Sequence, residues 1–152
     1  MSQISLSEFA DKLNDMMPVI MKEFARRQTN ELYKGKITLP QFLVLEFLET
    51  GGESKMKDIA QFMHVSTAAM TGIVDRLVRE GYVVRTFDAV DRRIIKAKLT
   101  SRGSSIVKKI NEQRRNMTIR IFEKISEADR NEYLKILRQI RDILLKEGPG
   151  LK

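Results

Sequence analysis

Apolar positions recur at Phe9, Leu13, Met16, Met17, Ile20, Met21 and Phe24, the spacing of one helical face, so a long amphipathic helix is expected from Leu6 to about Tyr33. Pro18 lies inside it and predicts a kink or a break, because proline lacks a backbone donor and clashes with the preceding turn. Tyr33 to Lys36 reads as a connection. Thr38 can then cap a second helix that tolerates Pro40 in its first turn, buries Phe42, Val44, Leu45 and Leu48, and ends at Gly51-Gly52. A short third helix is expected from about Met56 to Met63, with Ile59, Ala60 and Met63 facing inward. After a turn at His64-Val65, Ser66 is the natural cap of a fourth helix, with Met70, Ile73, Val74, Leu77 and Val78 on one side and a left-handed close at Gly81.

The pattern then changes from helical to alternating. Tyr82 to Phe87 and Ile94 to Leu99 are β-rich runs separated by Asp88-Ala89-Val90-Asp91, which reads as a hairpin turn. Alternation places Ile95, Ala97 and Leu99 toward the core and Lys96 and Lys98 outward. Thr100 can cap a further helix reaching about Lys124, with Ile106, Val107, Ile110, Met117, Ile121 and Phe122 on its apolar side. Ser126 and Asp129 resemble a capping box opening a last helix, whose wide stripe comprises Tyr133, Leu134, Ile136, Leu137, Ile140, Ile143 and Leu144 before Gly148-Pro149-Gly150 stops it.

A helix, a hairpin and a second helix start, in that order, describe a winged helix-turn-helix. Its fourth helix could enter a DNA major groove while the hairpin reaches the adjacent backbone or minor groove. An inserted helix must be slim and polar on its leading face. Ser66, Thr67, Ala68 and Thr71 meet that need, and Arg76 and Arg79 on later turns are placed for phosphates. The same residues also fit an ordinary amphipathic helix with a solvated face. At the hairpin tip, Asp91 is close enough in sequence to orient the guanidinium of Arg93, beside Arg92. A turn aspartate beside solvated arginines is the alternative there. The first and last two helices carry more apolar surface than one small winged domain covers, which implies a second copy unless they pack within the monomer.

Composition narrows the partner without choosing it. The 152 residues, 42% hydrophobic and 32% charged, suit a globular domain with a real core. Twenty-eight Lys and Arg against 20 Asp and Glu give a formal charge of +8, which favours polyanions, whether DNA, RNA or a membrane surface. With no cysteine, disulfides, thiolate metal sites and thiol redox sensing are excluded. The N-terminus lacks the basic start and apolar run of a secretory signal, and no stretch approaches the roughly 20 apolar residues that span a bilayer, so a cytoplasmic location without membrane partners is expected. A glycine-rich phosphate loop, a metal-ligand cluster and a histidine-based triad are all missing from the sequence, leaving catalysis without a basis and no cofactor expected.

The segments DRLVREGYVVR and DRRIIKAKLTSRG carry a more specific signal. The second fits the pattern DxRxxxxxLTxxG at Asp91, Arg93, Leu99, Thr100 and Gly103; TLPQFLVLEFL near Thr38 and SEADRNEYLKILRQI near Ser126 add further matches. Over nearly its whole length the chain resembles the multiple-antibiotic-resistance regulator (MarR) family of bacterial transcription factors. The resemblance implies a mainly α fold with a small β wing, a winged helix-turn-helix flanked by long N- and C-terminal dimerisation helices. In that layout residues 1–34 form the N-terminal dimerisation helix, 35–100 the DNA-binding region and 101–152 the C-terminal dimerisation helices, all in one compact domain.

It further implies a homodimer bound to a pseudo-palindromic operator in double-stranded DNA, commonly to repress neighbouring genes, with the alternative of an architectural protein that coats DNA without choosing a sequence. Ser66, Thr67, Thr71 and Arg76 match the DNA-facing helix, and Asp91 with Arg93 matches the wing pair, a role Arg92 can share. The expected DNA-binding set is therefore Ser66, Thr67, Ala68, Thr71, Arg76, Arg79, Asp91, Arg92, Arg93 and Lys96. Many members release DNA on binding a small aromatic or amphipathic effector. Others sense zinc through several histidines, which one histidine, His64, does not supply. His64 suits a capping or phosphate contact better than a pH switch, and Met16, Met17 and Met21 suit core packing better than an adaptable pocket.

Overall fold

The computed structural model describes residues 4–27 and 36–148. Along them run helices α1 (Leu6–Arg27) and α2 (Leu39–Gly51), strand β1 (Ser54–Lys55), helices α3 (Met56–Phe62) and α4 (Thr67–Arg79), strands β2 (Val83–Phe87) and β3 (Ile95–Leu99), and helices α5 (Ser101–Phe122) and α6 (Glu127–Glu147). The mainly α architecture with a small β wing is as expected. Two compact units divide the chain, residues 1–113 and residues 114–152, with the boundary inside α5.

Helix α1 continues through Pro18 without a break, since proline removes a single ladder bond that the flanking turns outlast. None of its residues is buried, and Met16, Met17 and Met21 all stay exposed, so they do not pack in the protomer's own core. The end of the expected first helix beyond Arg27, and the connection at Tyr33 to Gly35, lie outside the described residues.

The core of the first unit gathers where α2, α3, α4, the sheet and the first turns of α5 meet. Phe42, Val44, Leu45, Ile59, Met70, Val74, Leu77, Val83, Ala97, Val107 and Ile110 are fully or almost fully buried, each large side chain contributing about 1.5–3 kcal/mol relative to exposure. Entry to α2 is fixed by a reciprocal cap: Gln41 N donates to Thr38 Oγ1 at 3.3 Å, and Thr38 N donates to Gln41 Oε1 at 2.9 Å.

The sheet has the order β1-β3-β2 and is antiparallel throughout. Strand β1 was not legible as a strand, because Ser54 and Lys55 are too few to show alternation; they pair with Ala97 and Lys96. Val83 faces Leu99 and Phe87 faces Ile95 across the hairpin. Ala97 points into the core as expected, but Ile95 is exposed, a correction that follows from the hairpin projecting beyond the core at its tip. There Ile95 has Phe87 opposite it, also exposed.

One residue locks both ends of the hairpin to the helices. Thr100 donates from Oγ1 to the Gly81 carbonyl at 2.7 Å and from its amide to the Tyr82 carbonyl at 3.1 Å, while its hydroxyl accepts from Gly103 N at 3.0 Å as the cap of α5. Gly81 has φ +78°, the left-handed close expected for α4.

In the second unit, Ser126 caps α6 by accepting from Asp129 N at 3.1 Å and donating to Asp129 Oδ2 at 2.6 Å. Arg130 donates to the carbonyls of Phe122 and Ile125, both at 3.0 Å, satisfying the end of α5. Phe122 and Tyr133 stack at 5.5 Å between ring centroids. Helix α6 buries none of its residues, leaving its apolar stripe exposed.

Candidate nucleic-acid interface

The candidate interface comprises α4 and the hairpin that follows it. The α3–α4 turn is tight: His64 adopts φ +52° and Val65 N donates to the Ala60 carbonyl at 3.1 Å. Ser66 then caps α4, accepting from Ala69 N at 3.1 Å, so its hydroxyl hydrogen is left to donate outward. Met70, Val74 and Leu77 anchor one side of α4 in the core. That anchoring fixes which residues face outward: Thr67, Ala68, Thr71, Arg76 and Arg79 are all exposed. Thr71 Oγ1 donates to the Thr67 carbonyl at 2.9 Å, which leaves its oxygen to accept and its methyl group to make apolar contact. Ala69 and Gly72, not among the expected site residues, share this exposed surface and keep it slim. A Cβ added at Gly72 would meet nothing within 4 Å.

The hairpin tip is organised by two aspartates. Asp91 Oδ1 accepts from both Arg93 N and Arg93 Nε at 3.1 Å, and Asp91 Oδ2 accepts from Arg93 Nη2 at 3.2 Å. The guanidinium is thus held in a bidentate fork while its side chain remains 92% exposed. These bonds, the side-chain one foremost, hold the Asp91 carboxyl below its ordinary range. Arg92 is exposed beside it, and Val90 stands at the outermost point of the turn, 96% exposed.

The second aspartate was not anticipated. Asp88 Oδ1 accepts from Val90 N at 2.9 Å and Asp91 N at 3.1 Å, closing an Asx turn, while Asp88 Oδ2 pairs with Lys96 Nζ at 2.9 Å. Lys96, and after it the two amides, holds this carboxyl well below the usual carboxylate range. Reciprocally, Asp88 pushes Lys96 up. Lys96 therefore does not project freely outward as the alternation suggested, because a carboxylate two positions along the neighbouring strand captures its ammonium; Lys98 is exposed as expected. The signal for Asp88 was present in the turn itself, since aspartate opening a hairpin loop commonly accepts from the amides two and three residues on.

Two further bonds join the parts. Arg85 of β2 pairs with Asp75 of α4, and Thr86 donates to Glu53, just before β1. Among the described residues, no helix is long and apolar enough to cross a membrane.

Comparison with known proteins places this arrangement. Residues 37–95, which hold α2 through the start of β3, match the model of the MarR family. The chain is 31% identical over 121 residues to YfiV of Bacillus subtilis, described as an uncharacterized HTH-type transcriptional regulator, covering 78% of this chain and 76% of that protein. A MarR family protein from Bacillus stearothermophilus has the same fold, with a TM-score of 0.76 at 22% identity over 91% of this chain and 97% of that one. Streptococcus pneumoniae FabT, solved in complex with DNA, gives a TM-score of 0.72 at 19% identity, covering 94% and 97% of the two chains. With its winged helix-turn-helix and this relationship to YfiV, the chain belongs to the MarR family, whose members are transcriptional regulators and not enzymes.

Proposed function

We propose that this regulator acts in the cytoplasm as a homodimer that binds a pseudo-palindromic operator in double-stranded DNA and represses the genes beside it. In this reading α4 enters the major groove. Ser66, Thr67, Ala68 and Thr71 meet base edges and thymine methyl groups, while Arg76 and Arg79 meet phosphates. The wing delivers Arg93 to the minor groove, with Arg92 on the backbone. The observation that carries the proposal is the guanidinium of Arg93, fixed by two hydrogen bonds to Asp91, with a third from the Arg93 backbone amide, in a side chain that stays almost wholly exposed. A structural arginine would be satisfied and covered; one satisfied on its inner edge and open on the other is prepared for a ligand. The DNA complex formed by the similarly folded FabT is in keeping with it.

Homodimerisation is supported by the unburied apolar faces of α1 and α6, which are costly to leave in water. Response to a small aromatic or amphipathic acid is supported by a cleft of about 640 Å³ in the first unit, the size of a ligand pocket, where Lys36, Arg102 and Lys109 accompany Tyr82. The Arg102 guanidinium lies 5.0 Å from the centre of the Tyr82 ring.

Selection of bound sequences from a pool of random duplexes tests the core of this proposal. A two-fold-symmetric consensus, preferred over random duplex by about 10³-fold or more, is the expected result. Equal affinity for both would make the protein an architectural coat instead.

A further inference from the structure

Lys96 sits on the central strand of the sheet, opposite Thr86 on one side and Lys55 on the other. A lysine there would ordinarily be counted among the phosphate contacts. Its surroundings say otherwise. Its ammonium lies 2.9 Å from Asp88 Oδ2, and the two side chains are only 24% and 20% exposed. Glu53, bonded to Thr86 directly across the ladder, adds a second negative charge on the same ammonium.

We infer that Lys96 and Asp88 form a positioning pair that sets the wing tip, and that Lys96 acts through Asp88 instead of touching DNA. The inference rests on the wing meeting DNA as proposed above. A continuous chain of contacts carries it. Lys96 holds one oxygen of Asp88, and the other oxygen of Asp88 gathers the amides of Val90 and Asp91. The turn so closed places the Asp91 carboxylate where it grips Arg93. Two backbone bonds close the loop behind it, Asp88 N to the Ile94 carbonyl and Ile94 N to the Asp91 carbonyl, both at 3.0 Å. Lys96 also neutralises a carboxylate that would otherwise meet the phosphates with like charge. The lowered Asp88 carboxyl and the raised Lys96 ammonium are consistent with the pair being formed in the free protein.

The test uses the full chain with two probes: a duplex that the wild-type protein selects from a random pool, and a random duplex of equal length. Lys96→Met, Asp88→Asn and the double variant are compared. Each single variant should weaken binding to the selected duplex about fivefold, and the double variant should be no weaker than the weaker single one, because contacting residues are non-additive. Lys96→Met should leave the slope of log affinity against log salt unchanged, and in the free protein it should speed exchange of the Val90 and Asp91 amides while core amides keep their protection. A slope smaller by about one for each protomer, or additive losses, or unaltered exchange at Val90 and Asp91, would overturn the inference. Amide exchange is read without DNA, so it judges the pair even if the wild-type protein selects no duplex. That last result would count against the DNA-binding proposal alone.

Discussion

Asp75 on α4 accepts a hydrogen bond from Arg85 on β2, an ion pair that joins the reading helix to the wing. Both side chains are partly exposed, so the pair should contribute only about 0.5–1 kcal/mol to the fold. On the proposed mode of DNA binding its larger consequence is orientation, since a helix and a hairpin that engage one duplex must keep a fixed angle. Asp75→Ala should lower stability in urea by no more than about 1 kcal/mol while weakening binding to a selected duplex by a larger factor. Equal losses in the two measurements would show that the pair matters to folding alone.

Gly103 makes the opposite kind of prediction. Glycine to alanine in a helix ordinarily gains about 1 kcal/mol. Here the new Cβ would overlap the Tyr82 carbonyl oxygen and come within 2.7 Å of Leu99 Cδ2. The backbone cannot yield, because Thr100 clamps that same Tyr82 carbonyl and the Gly103 amide. Gly103→Ala should therefore destabilise the protein by about 2–4 kcal/mol, read as a lower thermal midpoint. A variant melting with or above the wild type would refute the packing argument.

That geometry also explains how far the fold could be read from the residues. Leu99, Thr100 and Gly103 belong to the motif that suggested a DNA-binding family, yet each has a structural role: Leu99 packs against the core, Thr100 ties both ends of the hairpin to the flanking helices, and Gly103 lets α5 pass Tyr82. Helices α2, α4 and α5 were legible from their caps and apolar spacing, and α3, which has no side-chain cap, from its apolar spacing alone, with Ile59 and Ala60 buried. Strand β1 was not, since two residues have no period and owe their conformation to the neighbouring β3. Within the site, the Asp91–Arg93 pair was readable from adjacency, but the capture of Lys96 by Asp88 depends on cross-strand register, which sequence spacing does not give.

Arg93→Ala removes the guanidinium while leaving the aspartate and the loop amides in place. Binding to the selected duplex should weaken by roughly 1–3 kcal/mol, with relaxed preference at the positions under the wing and an unchanged oligomeric state. Gel shifts against the selected duplex and its wing-site variants measure this. Unchanged affinity would remove the wing from the interface.

The two tip aspartates define a pH window whose sign follows from their lowered carboxyls. A group with a depressed folded value contributes fully above its unfolded value, near the ordinary 3.8, and its contribution is lost only as pH falls through the folded value. The wing tip should therefore stay closed while an unperturbed aspartate titrates and open only at lower pH, Asp88 being the more strongly held of the two. Carboxyl carbon shifts followed by NMR would read each residue separately. Titration of Asp88 at or above the ordinary aspartate value would mean that the Lys96 pair is absent in solution.

Helix α6 presents Tyr133, Leu134, Ile136, Leu137, Ile140, Ile143 and Leu144 without burying any of them. A stable interface removes about 1,200–2,000 Å² from water, and a single charge placed in such a stripe must be desolvated without a partner. Ile140→Glu should consequently convert a particle of two 17.6 kDa chains into one of a single chain in analytical ultracentrifugation. Helix content should change little, because Ile140 is about half exposed within the protomer and glutamate is a good helix former. Losing the second reading head removes the high effective concentration that links two half-sites, so affinity for a two-fold-symmetric duplex should fall by about 10²–10⁴ while each head keeps its fold. A wild-type particle of one chain would end the homodimer proposal, and an Ile140→Glu particle still of two chains would move the interface away from this stripe.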